Sequence, residues 1–195
     1  MKYAESNQRI EEMRKQITAI RAEMKTLQAE IEPQEVQDFT TPEGERPLSS
    51  LFGDKDDLIV IHNMGKSCAY CTLWADGYNG VYEHLANRAA FVITSPDAPE
   101  VQREFAKSRG WRFPMASHRG TPFAADMGYF SEQKGCAPGV SAFRREGKKI
   151  FRVRDTGLGP YDDFCSVWHL FGLLPQGAEG WRPKFSYAAV GGVTV

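Results

Sequence analysis

Long apolar runs are missing from this 195-residue chain. No stretch approaches the roughly 18–20 uninterrupted apolar residues a membrane-spanning helix needs. The longest apolar strand candidate is Leu58-Ile59-Val60-Ile61, so a spanning helix is excluded and no membrane partner is expected. A surplus of one charge sign is lacking too. Lys plus Arg number 24 against 25 Asp plus Glu, a formal net charge of −1, which leaves no electrostatic footprint for nucleic acid or for an anionic surface. The opening MKYAESNQRIEEMRKQ has neither an apolar run behind its charges nor a small-residue cleavage site; no secretory signal is read there, and a cytoplasmic location is expected. Cysteine is scarce, four in all, too few for a disulfide scaffold. In a reducing compartment a close pair of cysteines is more often catalytic or metal-binding. No internal repeat is visible. Core material, by contrast, is plentiful: 42% hydrophobic residues, with 12 Phe, 7 Tyr and 4 Trp, exclude wholesale disorder. At this length they allow one domain plus an appendage.

From Ile10 the apolar positions run Ile10, Met13, Ile17, Ile20, Met24, Leu27, Ile31, alternating steps of three and four. That is the a/d seam of a heptad pattern. The intervening residues are mostly Glu, Lys, Arg, Gln and Ala, strong helix formers, and Pro33 ends the helix. Residues 1–33 are therefore an amphipathic helix for oligomerisation or docking, roughly 38 Å long over about 25 residues. The expected partner is a second copy of the chain through residues 10–31; folding back on the chain's own domain is the alternative. A parallel pair would bring Arg9 toward the partner's Arg14, whereas an antiparallel register sets Arg9 against Glu30.

After Pro33 the composition shifts to Gly, Pro, aromatics and short apolar runs. Leu58–Asn63 and Ala89–Thr94 read as strands buried on both faces. A helix fits between them over Cys71–Asn87, and another over Pro96–Arg109 with Gly110 past its end. Val140–Arg144 and Lys149–Val153 flank a hairpin turn containing Gly147. A last amphipathic helix is expected over Tyr161–Leu173, burying Phe164, Val167, Trp168 and Phe171. Strand, helix, strand, helix, hairpin, helix implies an α/β fold, a mixed sheet flanked by helices, over residues 34–175. Residues 176–195 have no period and read as an extended tail, with Trp181, Phe185 and Tyr187 free to dock.

The chemistry lies in Cys68-Ala69-Tyr70-Cys71, which follows the first buried strand and the loop Met64-Gly65-Lys66-Ser67 and opens the next helix. Unpaired N–H groups and the dipole at a helix start stabilise a thiolate, and Lys66 adds to this, so Cys68 is the candidate nucleophile. Cys71, one turn along, is placed to resolve a mixed disulfide. Zinc binding would need a second half-site, but Cys136 and Cys165 are 29 apart and no H-x-x-x-H follows. No metal or cofactor is expected. An inert pair is the bland alternative; Cys136 is read as a bystander, with a third thiol near the pair as the alternative, and Cys165 is assigned no role. Gly77 and Gly80, costly inside a helix, suggest a kink or a close approach. His84, His118 and His169 have no partner visible in the sequence.

These residues resemble the thioredoxin-like superfamily. The similarity is closest to the bacterial family called domain of unknown function 899, whose members are described as predicted dithiol-disulfide oxidoreductases. It covers roughly residues 36–187. It is carried by Cys68-Ala-Tyr-Cys71-Thr-Leu-Trp74-Ala-Asp76-Gly77, by Gly110-Trp-Arg-Phe-Pro114, by Pro138-Gly-Val-Ser-Ala-Phe143 and by the strand Leu58–Asn63. Ala69-Tyr70 departs from the Pro-Ser more usual in the family, so a redox direction does not carry over. The resemblance implies a thioredoxin-like sheet and a proline, usually cis, beside the sulfurs; Pro138 fits by position, and the backbone of Ala137 would then pair with substrate. It also implies a buried proton shuttle six residues before the nucleophile, where this chain has His62. It marks Trp74 and Asp76 as family residues, Trp74 as core or substrate-facing.

Three functions compete. Disulfide exchange through Cys68 and Cys71, on a protein or small-molecule disulfide, is the first. A peroxiredoxin-type peroxidase is the second, since the opening of residues 38–63 resembles that family. Its Pro-x-x-x-Thr-x-x-Cys pattern is unmet, because Ile61 and Gly65 occupy the Pro and Thr places. A noncatalytic scaffold assembled through the heptads is the third.

Overall fold

In the computed structural model, residues 3–38 and 47–187 are described. The chain divides into two compact units, Met1–Gln34 and Glu35–Val195. The first is one helix, α1 (Tyr3–Glu30), none of whose residues is buried. Its seam positions stand open, Ile10 and Ile17 among them.

The second unit is built from β1 (Gln34–Val36), a 3₁₀ turn at Leu48–Phe52, β2 (Asp57–His62), α2 (Ala69–Arg88), β3 (Ala90–Ser95), α3 (Pro99–Arg109), β4 (Met115–Ser117), α4 (Phe123–Asp126), β5 (Phe130–Ser131), β6 (Gly135–Cys136), β7 (Gly139–Glu146), β8 (Lys149–Gly157) and α5 (Ser166–Phe171). Six strands form one sheet in the order β1-β8-β7-β2-β3-β4, and β5-β6 form a separate ribbon. β2, β3 and β4 are parallel neighbours, linked by α2 and α3, while β7 runs antiparallel to β2 and β8. The fold is a mixed α/β sheet flanked by helices.

Alternation along β2 and β3 sorts the core into two layers. Leu58, Val60 and Val92 face one cluster with Phe52, Phe123, Tyr129 and Phe143. Ile61, Phe91 and Ile93 face the other, with Trp74, Ala75, Trp111, Phe113 and Trp168. α2 lies on this second face because Trp74, Ala75, Tyr78 and Tyr82 recur at helical spacing. Pro99 opens α3 and Gly110, at φ +65°, closes it with its N–H on the carbonyls of Ala106 and Lys107. Asp76 on α2 accepts from Arg109 and, at 2.8 Å, from Trp111 Nε1, tying the end of α3 to α2. No described helix is long and apolar enough to cross a membrane.

Several sequence expectations change here. The last helix spans only Ser166–Phe171, and Phe164 is 47% exposed rather than buried. The Asp162 carboxylate takes the N–H groups of Gly159 (3.0 Å) and Phe164 (2.8 Å), closing a turn where the helix was expected to begin. Residues 176–181 are not an extended tail: successive turns bury Ala178 and set Trp181 against Phe171 and Trp168. Phe185 reaches Phe105, and Tyr187 stays exposed. The rest of the expected tail lies outside the described residues. A Cβ at Gly77 or Gly80 would meet nothing within 4 Å, so neither marks a close approach. β1, β4, the 3₁₀ turn, α4 and the β5-β6 ribbon went unread because each is five residues or fewer.

Candidate active site

Cys68 is the N-cap of α2, with φ −93° and ψ 104°. A cap side chain must accept a backbone N–H of the first turn, a task usually given to Ser, Thr, Asp or Asn. Here sulfur does it: Cys71 N–H donates to Cys68 Sγ at 3.1 Å. Thr72 donates through both its N–H and Oγ1 to the Cys68 carbonyl at 3.0 Å, fixing the first turn. Cys68 is partly exposed and Cys71 is buried; all four cysteines are free thiols.

The two sulfurs differ sharply in acidity. The Cys71 thiol bonded to it lowers Cys68 most, the N–H groups of Cys71 and Tyr70 add to this, burial opposes, and the outcome is a pKa of about 6. Cys71 is pushed far up by the same bond and by burial, so it stays protonated as the donor. Met64 N–H, 3.5 Å from Cys71 Sγ, is the backbone donor facing that sulfur. The Lys66 side chain is exposed and is not among the groups that lower Cys68; its backbone N–H instead donates to Asp97 Oδ2 at 2.8 Å.

The loop before Cys68 is held from both ends. Asn63 Oδ1 accepts Gly65 N–H at 2.7 Å, and Gly65 has φ +102°. A Cβ there would lie 3.0 Å from Asp97 Oδ2, so this position takes glycine on two counts. Asp97 went unread as a site residue, because its partner Lys66 lies 31 residues away in sequence.

A small cavity beside Cys71 is lined by Ile61, His62, Asn63, Trp74, Pro138 and Leu158. Pro138 thus shares a cavity with Cys71, but the expected cis bond is absent, since no peptide bond among the described residues is cis. Ala137 is likewise not poised for substrate through its N–H, which donates to the Tyr129 carbonyl at 2.8 Å, and the Pro138 carbonyl accepts from Leu158 at 3.0 Å. Gly139 follows because the Tyr129 ring occupies the space of its side chain, 1.9 Å from an added Cβ.

His62 departs from the expected shuttle. Strand alternation points its ring with Leu58 and Val60, away from α2, where it stacks on Tyr129 at 3.9 Å and Phe123 at 5.6 Å. Nε2 pairs with Ser141 Oγ at 2.9 Å, and burial holds the ring's pKa near 3, so it stays neutral. Trp74, read as core or substrate-facing, is 3% exposed and packs in the core, its Nε1 donating to Asp162 at 3.4 Å. Cys136 sits in β6 and Cys165 in the second core layer; burial raises both. Among the described residues no group of three or more His, Cys, Asp or Glu is placed to hold a metal. Of the sequence-named residues, the structure brings His62, Trp74 and Pro138 to one cavity with Cys71, with the His62 ring turned into the other core layer, and Cys68 meets Cys71 at the start of α2.

Residues 4–187 match the model of the family described as Bacterial protein of unknown function (DUF899). No curated protein matches the sequence. Among solved structures, the chain is similar to peroxidoxin BcpB from Mycobacterium tuberculosis at 23% identity and a TM-score of 0.52, over 64% of this chain and 84% of that one. A peroxiredoxin Q of Xanthomonas campestris aligns at 17% identity and a TM-score of 0.49, over 57% and 73%. A peroxiredoxin-like protein from Aquifex aeolicus aligns at 18% and 0.45, over 65% and 72%. The fold is thioredoxin-like.

Proposed function

This chain belongs to the DUF899 family, and we propose that it is a thiol-disulfide oxidoreductase in which Cys68 attacks and Cys71 resolves. One observation carries the reading: a partly exposed sulfur caps α2, held as thiolate near neutral pH by the thiol and N–H of a buried second cysteine one turn away. Ionised Cys68 attacks a substrate disulfide, forming a Cys68–substrate bond and releasing one substrate thiolate, which takes a proton from solvent. The charge that held the Cys71 proton is then gone. Cys71 loses that proton to solvent and attacks Cys68 Sγ; the second substrate sulfur leaves as a thiolate and takes a proton from solvent, and two electrons have passed from the cysteine pair to the substrate. Met64 N–H supports the Cys71 thiolate during this step. No side-chain base is invoked, because His62 faces the other layer.

Peroxidase chemistry is the second reading. Gly65 works against it: the family pattern wants a threonine hydroxyl there, and a φ of +102° with Asp97 against any Cβ leaves no room for one. Insulin reduction separates the readings. Turnover lost in Cys68→Ser, with a mixed disulfide accumulating in Cys71→Ser, supports exchange; turnover of hydrogen peroxide without disulfide reduction supports the peroxidase. Silence in both assays, with unreactive thiols, leaves the scaffold. A cytoplasmic, reducing location suits the exchange reading.

The reading includes pairing of α1 with a second copy of the chain. The seam Ile10–Ile31 is the surface, and antiparallel packing is favoured, since it sets Arg9 against the other copy's Glu30 whereas parallel packing sets Arg9 against Arg14.

A further inference from the structure

The segment after β8 leaves from beside Cys71 and returns against Tyr70, one of the two residues between the cysteines. Leu158 lines the small cavity at Cys71 and is buried there. From it the chain turns at Gly159-Pro160, and Asp162 pins the turn: its carboxylate takes the N–H groups of Gly159 and Phe164 and, at 3.4 Å, Nε1 of Trp74 on α2. Held in this way, Tyr161 has φ +72° and is the one non-glycine residue with positive φ among those described. Its side chain is also 67% exposed. A bulky residue in that conformation is costly, and such strain collects at functional sites. The φ is that of the third residue of the turn Gly159–Asp162, which the Asp162 N–H closes on the Gly159 carbonyl at 3.1 Å; glycine is the usual residue there, so the tyrosine ring is what this position adds.

That contact points toward the active site. The Tyr161 ring lies 5.4 Å from the ring of Trp168, and Trp168 stacks on Tyr70 at 6.2 Å and 29°. Tyr70 sits between the two cysteines, and its N–H is among the groups that lower the pKa of Cys68. Three rings thus run outward from the nucleophile: half-buried Tyr70, buried Trp168 and exposed Tyr161. The Asp162 carboxylate of the same turn is engaged by three N–H groups, and the exposed ring of Tyr161 offers an apolar face. Any disulfide that exchanges with Cys68 has to bring its sulfur into line with Sγ, beside Tyr70 two residues along, and Trp168 links that ring to the exposed ring of Tyr161.

We propose that Tyr70 and Tyr161, backed by the buried ring of Trp168, form a shelf that selects polypeptide disulfides carrying a large apolar side chain next to the half-cystine. This rests on the disulfide-exchange reading above and adds the substrate class. Stacking on an exposed aromatic supports a selectivity of roughly fivefold to tenfold.

Two peptide disulfides differing only in Phe or Ser beside cysteine make the test, with wild type, Tyr161→Gly and Tyr161→Phe. Glycine accepts the local φ, so Tyr161→Gly removes the ring without adding strain. Wild type is expected to favour the Phe peptide about fivefold in kcat/KM, chiefly through KM; Tyr161→Gly brings the ratio close to one and Tyr161→Phe restores it. A wild-type ratio near one, or a ratio unmoved in Tyr161→Gly, overturns the shelf. The same peptides with S-methylated cysteine are titrated by tryptophan fluorescence, where no exchange is possible. Tyr161-dependent preference for the Phe peptide in that titration, without turnover of either disulfide, keeps the shelf and removes the redox reading. Equal binding of both peptides by wild type removes the shelf whether or not disulfides turn over.

Discussion

The Asp97 carboxylate receives the Lys66 N–H at 2.8 Å, and this bond fastens the loop in front of Cys68 to the segment that opens α3. Ser95 Oγ donates to the same oxygen at 3.1 Å, so the carboxylate is oriented from its own strand end. The nucleophile's position at the start of α2 therefore depends on a side chain from the neighbouring β3-α3 connection.

Removing that acceptor leaves the Lys66 N–H without its partner. Asp97→Ala is expected to lower stability by about 1–2 kcal/mol, the cost of losing a hydrogen bond to a charged group. Insulin reduction should slow by about tenfold as the loop loosens. Asp97→Asn keeps an oxygen acceptor and should recover most of both. Urea unfolding together with the insulin assay checks this; wild-type behaviour of Asp97→Ala would show the loop to be held by other contacts.

Gly139 and Tyr129 share one volume. With the ring 1.9 Å from the place a methyl group at Gly139 would take, Gly139→Ala should destabilise the domain by about 2–4 kcal/mol. In a Tyr129→Ala background the same change should cost much less, a coupling that a double-mutant cycle in urea reads directly. Additive losses would contradict the shared volume.

Acid should weaken the fold through His62. Its folded pKa is about 3 against an ordinary 6.5, so between these values the unfolded chain binds a proton that the folded chain refuses. Stability is complete above pH 6.5 and falls as pH drops toward 3, by at most about 1.4 kcal/mol per pH unit. His118, buried and lowered in the same direction, steepens the fall. His62→Phe, which retains a ring against Tyr129, should flatten the slope in urea titrations at about pH 4 to 7; an unchanged slope would assign the effect elsewhere.

Much of this was legible in the chain. The seam from Ile10 to Ile31 marks α1, the runs Leu58–Ile61 and Ala90–Thr94 mark the central parallel strands, and Cys68 directly after a buried strand marks the cap of α2. Local signals suffice for these because period and capping are local properties. The orientation of His62 was written in its phase with Leu58 and Val60, but counting back from Cys68 ignored which face each strand residue takes. Asp97 holding Lys66, Asp162 holding Trp74 and Tyr129 filling the place beside Gly139 join residues far apart in sequence, and no local pattern marks them. The shortened last helix has the same origin: the reach of Asp162 to Gly159 and Phe164 competes with helical bonding, and apolar spacing alone does not register it.

Assembly through α1 makes a charge prediction. Arg9→Glu should weaken association by opposing Glu30 of the second copy, and Arg9→Glu with Glu30→Arg should restore it. Ile20→Glu, at the middle of the seam, should give a monomer. Sedimentation equilibrium reads all three, and a wild-type monomer at micromolar concentration would contradict pairing.

The most direct measurement is the rate of Cys68 alkylation by iodoacetamide as a function of pH, with the modified residue identified by mass. A sulfur that caps α2 and accepts the Cys71 N–H, with the Cys71 thiol beside it, should react with a midpoint near pH 6, and that phase should vanish in Cys68→Ser. A midpoint near 9, or a Cys68 that does not react at all, would contradict the account.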